Sequence, residues 1–286
     1  MRARSRQVQL IVLLALTVST YGCALFPRPL TFEASSTEDD ATYPEAFVAE
    51  HGTLKIHSDH YIPPDDRLFQ SLVDLRETLR LRLGVPTSER PITIYLFDEP
   101  YEFRRFLEDK YPELPQRRAF FIETEETLSV YAQSGPHTVE DLRHETVHAY
   151  LHAAMPNIPL WLDEGLAEYF ETPDREHGVN RPLVDLLASR QVEGRWQPDL
   201  RRLEALPTNQ LLSECEYAES WLWVYFLMES RLEYRETLRR YMSEFQTNPA
   251  CPGVALRLSG VSPNPDTEVR AVLLRLTGTL PREYDR

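Results

Sequence analysis

The sequence predicts an α+β fold: a mixed sheet with helices in the first half and a helical subdomain in the second. Three observations carry this. Short stretches of alternating polarity, such as Ile92-Thr-Ile-Tyr-Leu-Phe97, recur before residue 133. Leucines at helical spacing separate the first two of them. After about residue 137 the apolar pattern turns helical, with proline and glycine as punctuation.

The elements follow in order. Thr53–Ser58 alternates as a strand. Asp65–Leu83 reads as an amphipathic helix through Leu68, Leu72, Leu75, Leu79 and Leu83, ended by Gly84 and Pro86. Ile92–Phe97 is a strand and Tyr101–Lys110 a short helix. Arg118–Glu123 and Thr127–Ala132 are two further strands joined by Thr124-Glu125-Glu126. A helix then runs from an N-cap at Thr138 to about Met155, with Glu140 and Asp141 in its first turn and Pro156 stopping it. A second helix crosses Pro159–Phe170. Leu183–Ser189, Glu216–Met228 and Tyr234–Phe245 complete the helical set.

The first 22 residues stand apart. Arg2, Arg4 and Arg6 precede an apolar run from Leu10 to Val18. That run is too short to span a bilayer, which takes about 20 apolar residues, and reads as the core of a signal peptide. Gly22-Cys23 resembles a bacterial lipoprotein processing site, which implies lipidation of Cys23 and cleavage before it. By resemblance to Gram-negative lipoproteins, Ala24 after that cysteine implies the outer membrane. Residues 23–45 mix Pro, Ser, Thr and acid without a period and read as a flexible tether. The expected organisation is a signal peptide at 1–22, a lipid-anchored tether at 23–45, an α/β subdomain at 46–136 and a helical subdomain at 137–286. The expected location is the envelope, on its periplasmic face.

Composition excludes some partners. The formal net charge of −14 sets the chain against nucleic acid, whose phosphates would repel it. Cys215 and Cys251, the two cysteines left once Cys23 is lipidated, are open to pairing in an oxidising compartment or to standing alone.

The chemistry concentrates in two helices. His144 and His148 are four residues apart and share a helix face, where two imidazoles can grip one ion. Glu145 lets a carboxylate reach an activated water without using a coordination place, which makes it the candidate general base. Glu164 and Glu168 are also four apart. A carboxylate pair beside two histidines has a use: Glu164 supplies a third ligand, and Glu168 hydrogen-bonds a ligating imidazole. His152 continues the series but lies about 12 Å along the axis from His144 at 1.5 Å per residue. It is read as a supporting or surface residue, His137 as a cleft-lining one and His177 as exposed.

His144-Glu-Thr-Val-His148 followed by Pro159-Leu-Trp-Leu-Asp-Glu164-Gly-Leu-Ala-Glu168-Tyr169 resembles the gluzincin clan of zinc peptidases, and within it the bacterial peptidase-MA-like domains. The resemblance is sharpest over residues 138–171. It implies a zincin fold, a Zn2+ held by His144, His148 and Glu164, and a peptide or protein substrate. It also implies an oxyanion-stabilising tyrosine, for which Tyr217 is the candidate beside Tyr169 and Tyr225. In that clan an edge strand lies by the metal and pairs with extended substrate. The strand before the motif helix assigns this role to Val130, Tyr131 and Ala132. A metzincin is excluded by Leu151 and Ala154 where glycine and histidine would stand. The exopeptidase segment of the clan's aminopeptidases is absent, which favours an endopeptidase. Two other readings stay open: an inactive zincin-shaped scaffold lipoprotein, and a zinc amidase acting on a cell-wall linkage.

Overall fold

Five strands and ten helices account for the residues described by the computed structural model, which are 42–63, 65–172 and 177–279, with the backbone of short extended stretches at 8–9, 11–13 and 31–32. The expected signal peptide side chains, Cys23 and most of the tether lie outside the described residues. Among those described, no helix is long and apolar enough to cross a membrane.

The strands are β1 (Phe47–His51), β2 (Leu54–Ser58), β3 (Ile92–Phe97), β4 (Ala119–Glu123) and β5 (Leu128–Gln133). The helices are α1 (Arg67–Leu83), α2 (Pro100–Lys110), α3 (Thr138–Ala154), α4 (Leu160–Glu171) and α5 (Arg181–Val192). They continue with α6 (Leu200–Glu204), α7 (Glu214–Glu229), α8 (Leu232–Phe245), α9 (Val254–Leu258) and α10 (Pro265–Leu276). The chain divides into two compact units: residues 1–75 with 88–153, and residues 76–87 with 154–286. The expected boundary at 136/137 therefore moves. Helix α3 goes almost whole with the sheet, and the end of α1 goes with the helical unit.

In the first unit the sheet is mixed, in the order β4-β5-β3-β2-β1. β2, β3 and β5 run parallel, while β1 and β4 are antiparallel to their neighbours. Ile11–Leu13 pairs antiparallel along the outer side of β4, against Phe121–Glu123. Strands β2 and β3 alternate buried and half-buried residues; β4 and β5 are buried nearly throughout, as strands covered on both faces must be. Phe103 and Phe106 of α2 join Phe97, Phe120, Ile122 and Tyr131 in one hydrophobic cluster. Each buried phenylalanine contributes roughly 1.5–3 kcal/mol. Tyr43 packs edge-on against Phe106 and 4.8 Å from the Tyr95 ring, so this residue of the expected tether is docked on the sheet.

This register corrects one expectation. β5 is paired on both sides, with β4 and with β3, so it has no edge to offer an added strand. Val130 and Ala132 are fully buried and Tyr131 is stacked between Tyr95 and Phe106. None of the three can bind substrate along β5. The reason is topological: β4 folds back as an antiparallel hairpin partner and occupies that side of β5.

In the second unit α7 is apolar around most of its circumference, with Trp221, Trp223, Phe226, Leu227 and Met228 all buried. Helices α4, α5, α8 and α10 pack on it. Its first turn is fixed by a capping box, Ser213 with Glu216. Glu219, fully buried on α7, accepts from Trp196 Nε1 at 3.1 Å, the Asp199 backbone N–H at 2.7 Å and Arg202 at 2.6 Å. These donors compensate its burial and tie α6 to α7. The short helices α6 and α9 and the longer α10 were not anticipated. Asn264 and Pro265, an N-cap and first-turn pair, are the signal that marks α10. Cys215 and Cys251 are free thiols.

Candidate metal centre

Helix α3 is unusual in its burial: every residue from Asp141 to His152 is buried, charged ones included. Polar side chains pay for desolvation unless they are paired or hold an ion. Asp141 is paired with Arg118 through two bonds of 2.8 Å. His152 bonds Glu123 Oε2 at 2.7 Å, and Glu123 accepts a further bond from Arg90 at 2.9 Å. His152 is therefore a buried strut between α3 and β4, not a surface residue. Burial alone would push the Glu123 carboxyl up; the His152 ring and the Arg90 guanidinium outweigh it and hold it below the usual carboxylate range. Thr138 is the first helical residue and not the cap; its hydroxyl serves the Gly135 backbone at 2.6 and 2.8 Å.

His144 and His148 share one face of α3. Their Nε2 atoms converge to 3.1 Å, with rings 4.9 Å apart and nearly perpendicular. The Phe121 ring of β4 stacks against His148 and meets His152 edge-on. Glu145, between the histidines in sequence, is 1% exposed.

Pro156 and the left-handed Asn157, at φ 68°, end α3 and turn the chain into α4. Proline at 159 is the N-cap residue, and its carbonyl accepts from Asp163 N at 3.0 Å. Glu164 and Glu168 are both buried on α4. Tyr217, on the first turn of α7, donates to Glu164 Oε1 at 3.4 Å. Glu168 accepts from Asn180 Nδ2 at 3.0 Å, and the same nitrogen reaches Glu171 at 2.9 Å. Asn180 and Glu171 were not foreseen from the sequence.

His144, His148 and Glu164 each offer one ligand atom, and these three atoms lie within 4.8 Å of one another. This buried group can hold a metal ion. His144 also belongs to a second such group, with Glu168 and Glu171. The other expected tyrosines are placed differently. Tyr169 donates to Glu229 and lies under the Arg82 guanidinium, 5.4 Å from its ring centroid. Burial and the Glu229 bond push its phenol well up. The Tyr225 ring packs at a tilt against Trp221, 5.6 Å between centroids. His137 is exposed and pairs with Glu140 at 3.1 Å, and His177 is exposed at the end of the α4–α5 loop.

A family model described as "Protein of unknown function (DUF1570)" matches residues 138–250, the stretch that holds His144, Glu145, His148, Glu164, Glu168 and Tyr217. No curated protein matches the chain.

Proposed function

We propose that this chain is a zinc-dependent endopeptidase that cleaves peptide bonds in the bacterial envelope. The observation that carries the reading is the buried His144/His148/Glu164 group with Glu145 next to its first histidine. Two imidazoles and one carboxylate form the donor set of a three-ligand zinc site that keeps a place open. Nitrogens about 2.0–2.1 Å from one tetrahedral ion stand about 3.3 Å apart. The 3.1 Å spacing of the two Nε2 atoms fits that geometry.

When bound, zinc supplies Lewis acidity that polarises a carbonyl and acidifies water. The protein's side chains supply the rest. Glu145 takes the water proton on its carboxylate and hands it to the leaving amine. Glu168 holds the His144 ring in orientation. Tyr217, whose hydroxyl already lies at Glu164, donates to the developing oxyanion. Tyr169 is the weaker candidate, because its hydroxyl is committed to Glu229.

Substrate binding moves from β5 to the outer side of β4. There, backbone groups at Phe121–Glu123 already accept an antiparallel segment, Ile11–Leu13. Removal of the leader at Cys23 would bare this edge for an extended peptide, whose main chain supplies affinity whatever its side chains. Lipidation at Cys23 would hold the enzyme at the membrane, within reach of envelope proteins.

The test pairs metal analysis of the purified protein with a peptide-library digest. The expected result is one zinc per chain, lost in His144→Ala, His148→Ala and Glu164→Ala. Glu145→Gln should keep the zinc and lose cleavage by about 10²–10⁴-fold. Undiminished activity in Glu145→Gln would end the hydrolase reading and leave a zincin-shaped scaffold in its place.

A further inference from the structure

Asn180 does more than its position at a helix start requires. It is the N-cap of α5, with its side-chain oxygen accepting from Leu183 N at 3.5 Å. Serine, threonine or aspartate would serve a cap as well. With the oxygen so used, the amide nitrogen is turned the other way. It donates one hydrogen to Glu168 Oε2 at 3.0 Å and the other to Glu171 Oε1 at 2.9 Å. Among the residues suited to a cap, the asparagine amide joins an acceptor for the helix to two donors for two separate carboxylates.

Those carboxylates need holding. Glu168 and Glu171 are three apart, so they are neighbours on α4, and like charges at that spacing repel. Glu168 is 3% exposed and Asn180 8%, so water does little to screen the Glu168 carboxylate, while Glu171 is half-buried. Gly178, two residues before Asn180, is closely packed. Gly178 sits at φ +73°, and a Cβ there would come within 2.1 Å of the Tyr169 ring. Its carbonyl accepts from Trp221 Nε1 at 2.9 Å. The two carboxylates and His144 each offer one ligand atom to a second group, whose three atoms lie within 4.8 Å of one another.

We infer that Asn180 is a positioning residue: it clamps Glu168 and Glu171 as a pair beside His144, and so sets the affinity of the metal centre from a loop outside both motif helices. This rests on the metal reading above. Partners that orient a ligating histidine are worth about 10–100-fold in metal affinity.

The experiment measures zinc affinity by competition with a chromophoric chelator, and the visible spectrum of the Co2+-loaded protein. It compares wild type, His144→Ala, Asn180→Ser and Asn180→Asp, with thermal unfolding of each metal-free form. Asn180→Ser keeps a capping oxygen and removes the clamp. Asn180→Asp keeps the shape and replaces donation by repulsion. Both should bind zinc about 10–100-fold more weakly than wild type and change the Co2+ spectrum, while metal-free Asn180→Ser unfolds close to wild type. Wild-type affinity and spectrum in Asn180→Ser would overturn the inference, even if that variant melted earlier, because a cap alone would then explain the residue. If Asn180→Ser did not fold, Asn180→Asp would decide, and an affinity at or above wild type would overturn the clamp. Wild type that binds no metal would instead remove the metal reading, and the clamp with it.

Discussion

Gly165 of α4 faces the backbone of Ser220 on α7 so closely that a Cβ at 165 would come within 2.5 Å of the Ser220 carbonyl oxygen and 2.8 Å of Val224 Cγ2. The glycine after Glu164 is thus a contact residue. It lets the helix that carries Glu164 and Glu168 lie against the helix that carries Tyr217. Backbone cannot step aside as a flexible side chain can, so Gly165→Ala must push α4 off α7. Overpacking of this kind costs about 1–3 kcal/mol. The expected result is a lower melting temperature together with weaker zinc binding, since the displaced helix takes Glu164 with it. Urea unfolding and metal analysis of the variant check both.

The same pair shows what the sequence could and could not disclose. His144 with His148, and Glu164 with Glu168, were legible because i, i+4 spacing is a local property of a helix. The strands at 54–58, 92–97, 119–123 and 128–133 were legible from alternation and β-branched or aromatic content. Neighbours were not. Alternation says that 128–133 is a strand, but not that 119–123 occupies one side of it, so Val130, Tyr131 and Ala132 were assigned an edge they do not have. Asn180 was missed for a similar reason. Its contact with Glu168 depends on the close approach of Gly178 to Tyr169, which no periodicity encodes. Tyr43 reads as tether by composition, yet its ring is claimed by Tyr95 and Phe106.

The two tyrosines should separate function from stability. Tyr217 lies at Glu164, and Tyr169 is bonded to Glu229 beside Arg82. Tyr217→Phe should keep its zinc and its melting temperature but lose about 10²-fold or more in kcat, the usual loss for one oxyanion donor. Tyr169→Phe should do the reverse. It leaves kcat unchanged and loses about 1.5–3 kcal/mol, the scale of a hydrogen bond to a charged group. Steady-state kinetics on a cleaved library peptide and urea unfolding distinguish them. Loss of zinc in Tyr217→Phe would mean that its hydroxyl serves Glu164 and not the substrate.

The strut between β4 and α3 gives a prediction in pH. Glu123 of β4 bonds His152 of α3 at 2.7 Å and Arg90 at 2.9 Å, and Phe121, two residues before it, stacks against His148. Burial opposes the charge on Glu123, but the two partners prevail and its carboxyl titrates below the ordinary range. A carboxyl whose folded pKa is depressed binds its proton more weakly in the native state than in the unfolded chain. Its stabilisation is therefore present above the unfolded value, about 4.3 for glutamate, and is lost as pH falls through the lower folded value. Glu123→Gln removes the charge at every pH. Its deficit against wild type should be fully developed at pH 7 and should close as the buffer is taken below about pH 4. Arg90 is more than a third exposed, so its share of the effect is screened, and added salt should shrink the deficit only in part. Urea unfolding of both proteins at pH 7 and pH 3 decides it. A deficit that widened in acid would mean that the carboxylate is held by its partners less firmly than burial opposes it, and that the β4–α3 strut does not stabilise the helix of His144 and His148 through charge.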